Sequence, residues 1–187
     1  INAAVTGHRL LRGAIHPGGV TLRALPDATE LRSIAAEVVE ITDLTLANSV
    51  IRDRFSGTAA ITYDQVRDLG CLGYVARASG LASDARLDHP TVALPIHPML
   101  GTDGDVLARY TIRRDEHAAS NELACHLIEE ATGPLTITTP PPDLSIVHDR
   151  LAPARSGVGI VEGWRGTIVH RIELDRHDQI SRAKIVD

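Results

Sequence analysis

The chain has 187 residues, 43% of them hydrophobic, which is enough for one domain or two small ones. Its formal net charge of −5 argues against a protein that must neutralise nucleic-acid phosphates, and no polybasic stretch suits an acidic lipid surface. No apolar run approaches the roughly 20 residues of a membrane-spanning helix.

The chain begins at Ile1 and Met99 is its only methionine, so it reads as an internal piece of a longer protein, without a signal peptide. Ile1 to Gly13 suggests the tail of a helix, and His16-Pro17-Gly18-Gly19-Val20 forces a turn. From Asp27, with Glu30 at capping-box spacing, Leu31, Ile34, Val38, Ile41 and Val50–Ile51 predict one long helix to about Phe55. Thr62 and Gln65 have capping-box spacing for a short helix that Gly70 ends. From Cys71 to Gly101 the glycines and prolines predict an irregular stretch. A second long helix is expected from Asp105 to Thr132, closed by Gly133-Pro134. Pro140-Pro141-Pro142 predicts a stiff linker. Gly157–Glu162, Thr167–Leu174 and Ile180–Val186 read as three strands, with Asp175-Arg176-His177-Asp178 as a polar hairpin loop.

The expected fold class is therefore α+β: long helices forming part of a bundle, then a small C-terminal antiparallel sheet. Residues 1–138 would form the helical part, with its irregular loop at 71–101. Residues 139–187 would form the linker and sheet of what reads as one truncated domain.

Several chemistries find little support. Cys71 and Cys125 make no CxxC, which leaves no paired thiolates for a metal or cluster and suits a reduced intracellular protein. Cys125, between Leu123 and Leu127, reads as packing. Asp84, Asp88, His89 and His97 fall in the irregular stretch, where such residues beside proline usually build turns and not a metal site. Gly157, Gly159 and Gly163 lack dinucleotide-binding spacing and precede no helix. Lys184 is the only lysine, so positive charge is carried by arginine: either planar forks for anions or a bias of composition.

The segment Glu162-Gly163-Trp164-Arg165-Gly166-Thr167-Ile168-Val169-His170 joins two strand-like runs and carries a carboxylate, a guanidinium and an imidazole. Composition alone allows either a structural hairpin with a solvated arginine or an arginine held out toward a pocket. The pattern E-x-x-R-G-x-x-x-H resembles the arginine motif of nickel-iron hydrogenase large subunits, and Gly163-Trp164 resembles the energy-converting, formate hydrogenlyase type. The quinone-site core subunit of respiratory complex I has a similar E-x-P-R-G turn. Three further segments agree in order. Thr6-Gly7-His8-Arg9 with Pro17-Gly18-Gly19-Val20 resembles T-G-x-R and R-P-G-G-V. Asp68-Leu69-Gly70-Cys71-Leu72-Gly73 with Val75 to Gly80 resembles the G-V-T-G-P-x-x-R-x-S-G loop. Asp105-Val106-Leu107-Ala108-Arg109 resembles the helix start G-D-x-x-A-R. His16 departs from the family arginine, Cys71, Leu72 and Tyr74 depart within the loop, and the Tyr-rich stretch that follows it in the family is missing.

The resemblance implies a subunit of an oxidoreductase that delivers electrons to protons or to quinone, peripheral on the cytoplasmic face of a membrane through its partners. Those partners would be an iron-sulfur small subunit, which carries the clusters, and membrane-arm subunits. Any nickel-iron centre would be held by cysteine pairs outside this piece, which itself takes no cofactor, and NADH would be handled by another subunit. Arg165 is the implied catalytic residue, with Glu162 and His170 as further candidates that serve either directly or by supporting the turn. The alternative is a non-catalytic, hydrogenase-like scaffold whose helices dock partners.

Overall fold

A computed structural model describes residues 1–16, 18–139, 155–177 and 179–187. Pro17, the Pro140–Pro142 linker and Asp178 of the hairpin loop lie outside them. The chain divides into two compact units, Ile1–Val38 with Ala119–Leu151, and Val39–Ala118 with Ala152–Asp187.

In the first unit, helix α1 (Asn2–Thr6) is one turn long, shorter than the sequence suggests, because Gly7 closes it in the left-handed conformation. Strands β1 (Ile15–His16) and β2 (Gly19–Thr21) form a hairpin, and β3 (Thr136–Thr138) adds to β2. No alternation in the sequence announces this sheet, whose strands are too short to show one. Helix α2 (Ala28–Ala47) starts where Asp27 accepts from the amides of Thr29 at 2.7 Å and Glu30 at 3.1 Å. Its first turns run against the far end of α7 (Val106–Glu130) in the antiparallel sense: Cys125 donates to the Ala28 carbonyl, Asn121 to the Leu31 carbonyl, and Arg32 pairs with Glu122 and Glu129.

In the second unit the expected single helix to Phe55 is broken. Asn48 leaves the helical conformation and its side chain caps a new helix, α3 (Ser49–Phe55), by accepting from Val50 and Ile51. Helix α4 (Tyr63–Leu69) carries the full Thr62/Gln65 capping box and ends at a left-handed Gly70. The stretch expected to be irregular contains two short helices, α5 (Gly73–Ala78) and α6 (Ala85–Asp88).

The start of α7 shows why its residue types occur. Buried Asp105 accepts from the Ala108 amide within the helix and from the Gly57 amide outside it, both at 2.7 Å. Arg109 then donates to the Ala59 carbonyl, so the segment between α3 and α4 is tied to this helix end. Around it the core is small: Val66, Ala76, Ala78, Ala85 and Ile112 are buried together with charged Arg77 and Asp84.

Strands β4 (Arg155–Gly163), β5 (Gly166–Leu174) and β6 (Ile180–Val186) form the expected antiparallel sheet, in that order. Asp175 organises the β5–β6 loop by accepting from the amides of His177 and Gln179. The sheet is not half-buried by alternation along β5. Its turn end is covered, where α5 meets β5 and α6 meets β4, while His170, Arg171 and Ile172 farther along are exposed.

Candidate active site: an arginine turn docked on a short helix

The site is built at the β4–β5 turn. Glu162 faces Thr167 across the ladder and Gly163 faces Gly166, which leaves Trp164 and Arg165 as the two-residue tip. Gly166 has φ +133, and a Cβ there would lie 2.6 Å from that of Leu72. Gly73, at φ +61, rests directly on the Arg165–Gly166 peptide, and a Cβ on it would overlap the Arg165 carbonyl. The two glycines therefore let backbone pack on backbone, which no other residue pair permits. The tip is fixed through its main chain, so the Arg165 side chain is not needed to hold it.

Gly73 opens the short helix α5, and Arg77 lies four residues further along it. While Gly73 seats the tip, Arg77 seats the base of the turn. The Arg77 side chain is 2% exposed. Its Nε and Nη2 grip both oxygens of Glu116 on α7, and its Nη1 donates to Glu162 Oε1 at 3.0 Å and to the Ser83 carbonyl at 2.8 Å. Glu162 Oε2 accepts from the Ala85 amide at 3.0 Å. Asp84, 1% exposed, lies 3.8 Å from Arg77 and is held by Arg86 at 2.6 Å.

Burial alone would push the Arg77 guanidinium down, but Glu116 and then Glu162 outweigh it and hold it above its ordinary value. Burial likewise works to raise Asp84, yet the hydrogen bonds and charge of Arg86, with the charge of Arg77, leave its carboxyl below the usual range. Three carboxylates and two guanidiniums thus share one cluster, buried at Arg77, Asp84 and Glu162 and half-exposed at Arg86, and its Arg77–Glu162 pair holds the turn.

A third contact steadies the tip. Arg113 of α7 stacks over Tyr74 at 4.9 Å and over Trp164 at 5.0 Å, which ties the tip to α7 through a second residue of α5.

The Arg165 side chain, 71% exposed, leaves this frame and pairs with Asp187. It lines an open concavity of about 330 Å³ with Gly70, Leu72, Gly166, Thr167 and Asp187. Such a group can donate hydrogen bonds and positive charge to an oxyanion that takes the place of Asp187. Of the sequence-derived candidates, Arg165 and Glu162 meet in this turn, the former outward and the latter inward. His170 lies exposed along β5, opposite Gly159 and Ile185, and lines neither the concavity nor the buried cluster.

Sequence reasoning placed Gly73, Tyr74 and Arg77 in the family-like loop without giving them a role, and it did not single out Arg113 or Glu116. The available signal was the arginine of the G-V-T-G-P-x-x-R-x-S-G pattern, which falls on Arg77. Asp84, a metal-ligand candidate by residue type alone, serves Arg86 and the start of α6. Among the described residues, no group of three or more His, Cys, Asp or Glu is arranged to hold a metal ion. Both cysteines are free thiols, Cys71 half-buried and Cys125 buried.

The respiratory-chain NADH dehydrogenase 49 Kd subunit family matches the chain over residues 1–187. The chain belongs to that family. It is 35% identical over 126 residues to an NADH-quinone oxidoreductase subunit of Deinococcus radiodurans, covering 63% of this chain and 31% of the relative. It is 30% identical over 175 residues to formate hydrogenlyase subunit 5 of Escherichia coli, covering 89% of this chain and 29% of the relative. The chain thus spans about a third of the length of these curated relatives. The membrane-bound sulfane sulfur reductase, an archaeal respiratory membrane complex, contains a chain with the same fold, at a TM-score of 0.79 and 22% identity over 98% of this chain and 52% of its own. No described helix of this family member is long and apolar enough to cross a membrane.

Proposed function

We propose that this chain forms part of the large subunit of an oxidoreductase complex that passes electrons to protons or to a quinone, and that Arg165 is its residue facing the reacting species. The observation that carries this reading is the docked turn: two glycines, a buried ion cluster and a stacked arginine all serve to hold the main chain of a residue whose own side chain points into an open concavity. Structural hairpins do not require such support, whereas a donor that must meet developing negative charge does.

Arg165 would donate hydrogen bonds to an anionic or strongly polar group entering the concavity, releasing Asp187. Glu162 would support the turn. Electrons would arrive from an iron-sulfur subunit, and membrane-arm subunits would hold the assembly at the inner face of the membrane. The chemistry of any nickel-iron centre would be supplied by residues outside this chain.

Arg165→Lys in the full-length complex tests this, because it keeps the charge and loses the planar fork. The expected outcome is a fall in hydrogen or quinone turnover of roughly 100-fold or more with an unchanged thermal melt. A second reading, a scaffold that docks partners, draws on the exposed apolar side chains Ile41, Leu44 and Val50 in the second unit. It predicts wild-type turnover in the lysine variant and loss of complex assembly when these three are made polar.

A further inference from the structure

The geometry points to Arg77 as a positioning residue for Arg165, acting through Glu162. This rests on the functional reading of Arg165 and adds how that residue is held. Arg77 is not among the residues that line the Arg165 concavity; its donors are spent on Glu116, Glu162 and the Ser83 carbonyl. Glu162, three residues before Arg165 in the chain, in turn accepts from Arg77, from the Ala85 amide and, at 3.5 Å, from the Thr167 hydroxyl across the ladder. The order of contacts is therefore α7 through Glu116, α5 through Arg77, β4 through Glu162, and then the turn.

A guanidinium is required in the middle of this chain of contacts. It must hold both oxygens of one carboxylate along its Nε–Nη2 edge while a third nitrogen reaches a second carboxylate, a geometry that an ammonium cannot reproduce. Gly73, one helical turn earlier, gives the same helix a grip on the Arg165 carbonyl. Helix α5 thus fixes the turn at base and tip, and loss of the Arg77 fork would leave the tip seated but its base free to rock. Small displacements of a positioned donor cost catalysis steeply.

Trp164 is the only tryptophan in the sequence and sits beside Arg165, so it reports on the turn directly. The test is time-resolved anisotropy of Trp164 in the full chain, with steady-state kinetics of the full-length complex, for Arg77→Lys and Glu162→Gln. If Arg77 positions the turn, the amplitude of fast local motion at Trp164 about doubles in both variants while the helical circular dichroism is retained. Turnover then falls by about 100-fold with KM unchanged, and the double variant is no worse than either single one, since both break the same link. Wild-type anisotropy in either folded variant overturns the proposal. If Arg77→Lys does not fold, Glu162→Gln decides alone, because it leaves the Arg77–Glu116 pair in place. Wild-type turnover in these variants beside an impaired Arg165→Lys overturns the positioning role and leaves the Arg165 reading standing. Wild-type turnover in Arg165→Lys, with loosened anisotropy in the other two, overturns the Arg165 reading and leaves Arg77 as the lock of a turn without a catalytic role.

Discussion

Gly73 and Gly166 show how much of the site depends on the absence of two methyl groups. Gly73→Ala would place a Cβ in the Arg165 carbonyl and impose a left-handed backbone on alanine. Left-handed strain of roughly 1–2 kcal/mol adds to roughly 1–3 kcal/mol of overpacking, so a loss of about 2–5 kcal/mol is expected in urea denaturation. Unchanged stability would mean that the turn is not seated on α5. The buried charges make a separate prediction. Arg77 is held above its ordinary value, so its contribution is complete at any pH below about 12 and adds no pH dependence in the working range. Asp84 is held below its ordinary value, so its contribution is present above about pH 4, the unfolded value, and fades as pH falls through the native one. The urea midpoint should therefore drop on the acid side below about pH 4. Asp84→Asn should flatten part of that drop, and an identical acid limb in the variant would contradict the role of Asp84.

At the scale of elements, the sequence was most legible where punctuation and periodicity coincide. The Thr62/Gln65 box, the Gly70 stop, the long helix after Asp105 and the three C-terminal strands all stand within a few residues of expectation. The break at Asn48 was not legible, because the apolar stripe runs on through Val50 and Ile51 at helical spacing and nothing but the cap itself marks the stop. Since Asn48 supplies both hydrogen bonds at the start of α3, Asn48→Ala is expected to lower stability by about 1 kcal/mol in urea melts. A variant as stable as wild type would show that the two helices do not need this cap. Strand β3 was illegible for a different reason: Thr136–Thr138 is three residues long and finds its partner, Gly19–Thr21, far away in sequence. The candidate turn was visible as a motif, but its support was not. Arg77, Glu116 and Glu162 come from three distant segments, and only the fold brings them together.

At the scale of the whole chain, family membership covers residues 1–187, whereas the relatives extend well beyond it. The faces of β4–β6 leave Val161, Ile172 and Ile185 open to solvent, and the core of the second unit is small and partly charged, in keeping with the subunit role proposed above. What this chain would supply to such an assembly is one guanidinium held in place by its backbone. Chemical rescue tests that claim most directly. In the full-length complex, Arg165→Ala should lose turnover by about 100-fold. Low concentrations of guanidinium chloride should restore part of the loss, while the same concentrations of a primary amine hydrochloride should not, because only the planar fork refills the site. Wild-type turnover in Arg165→Ala, or equal rescue by the amine, would contradict the claim.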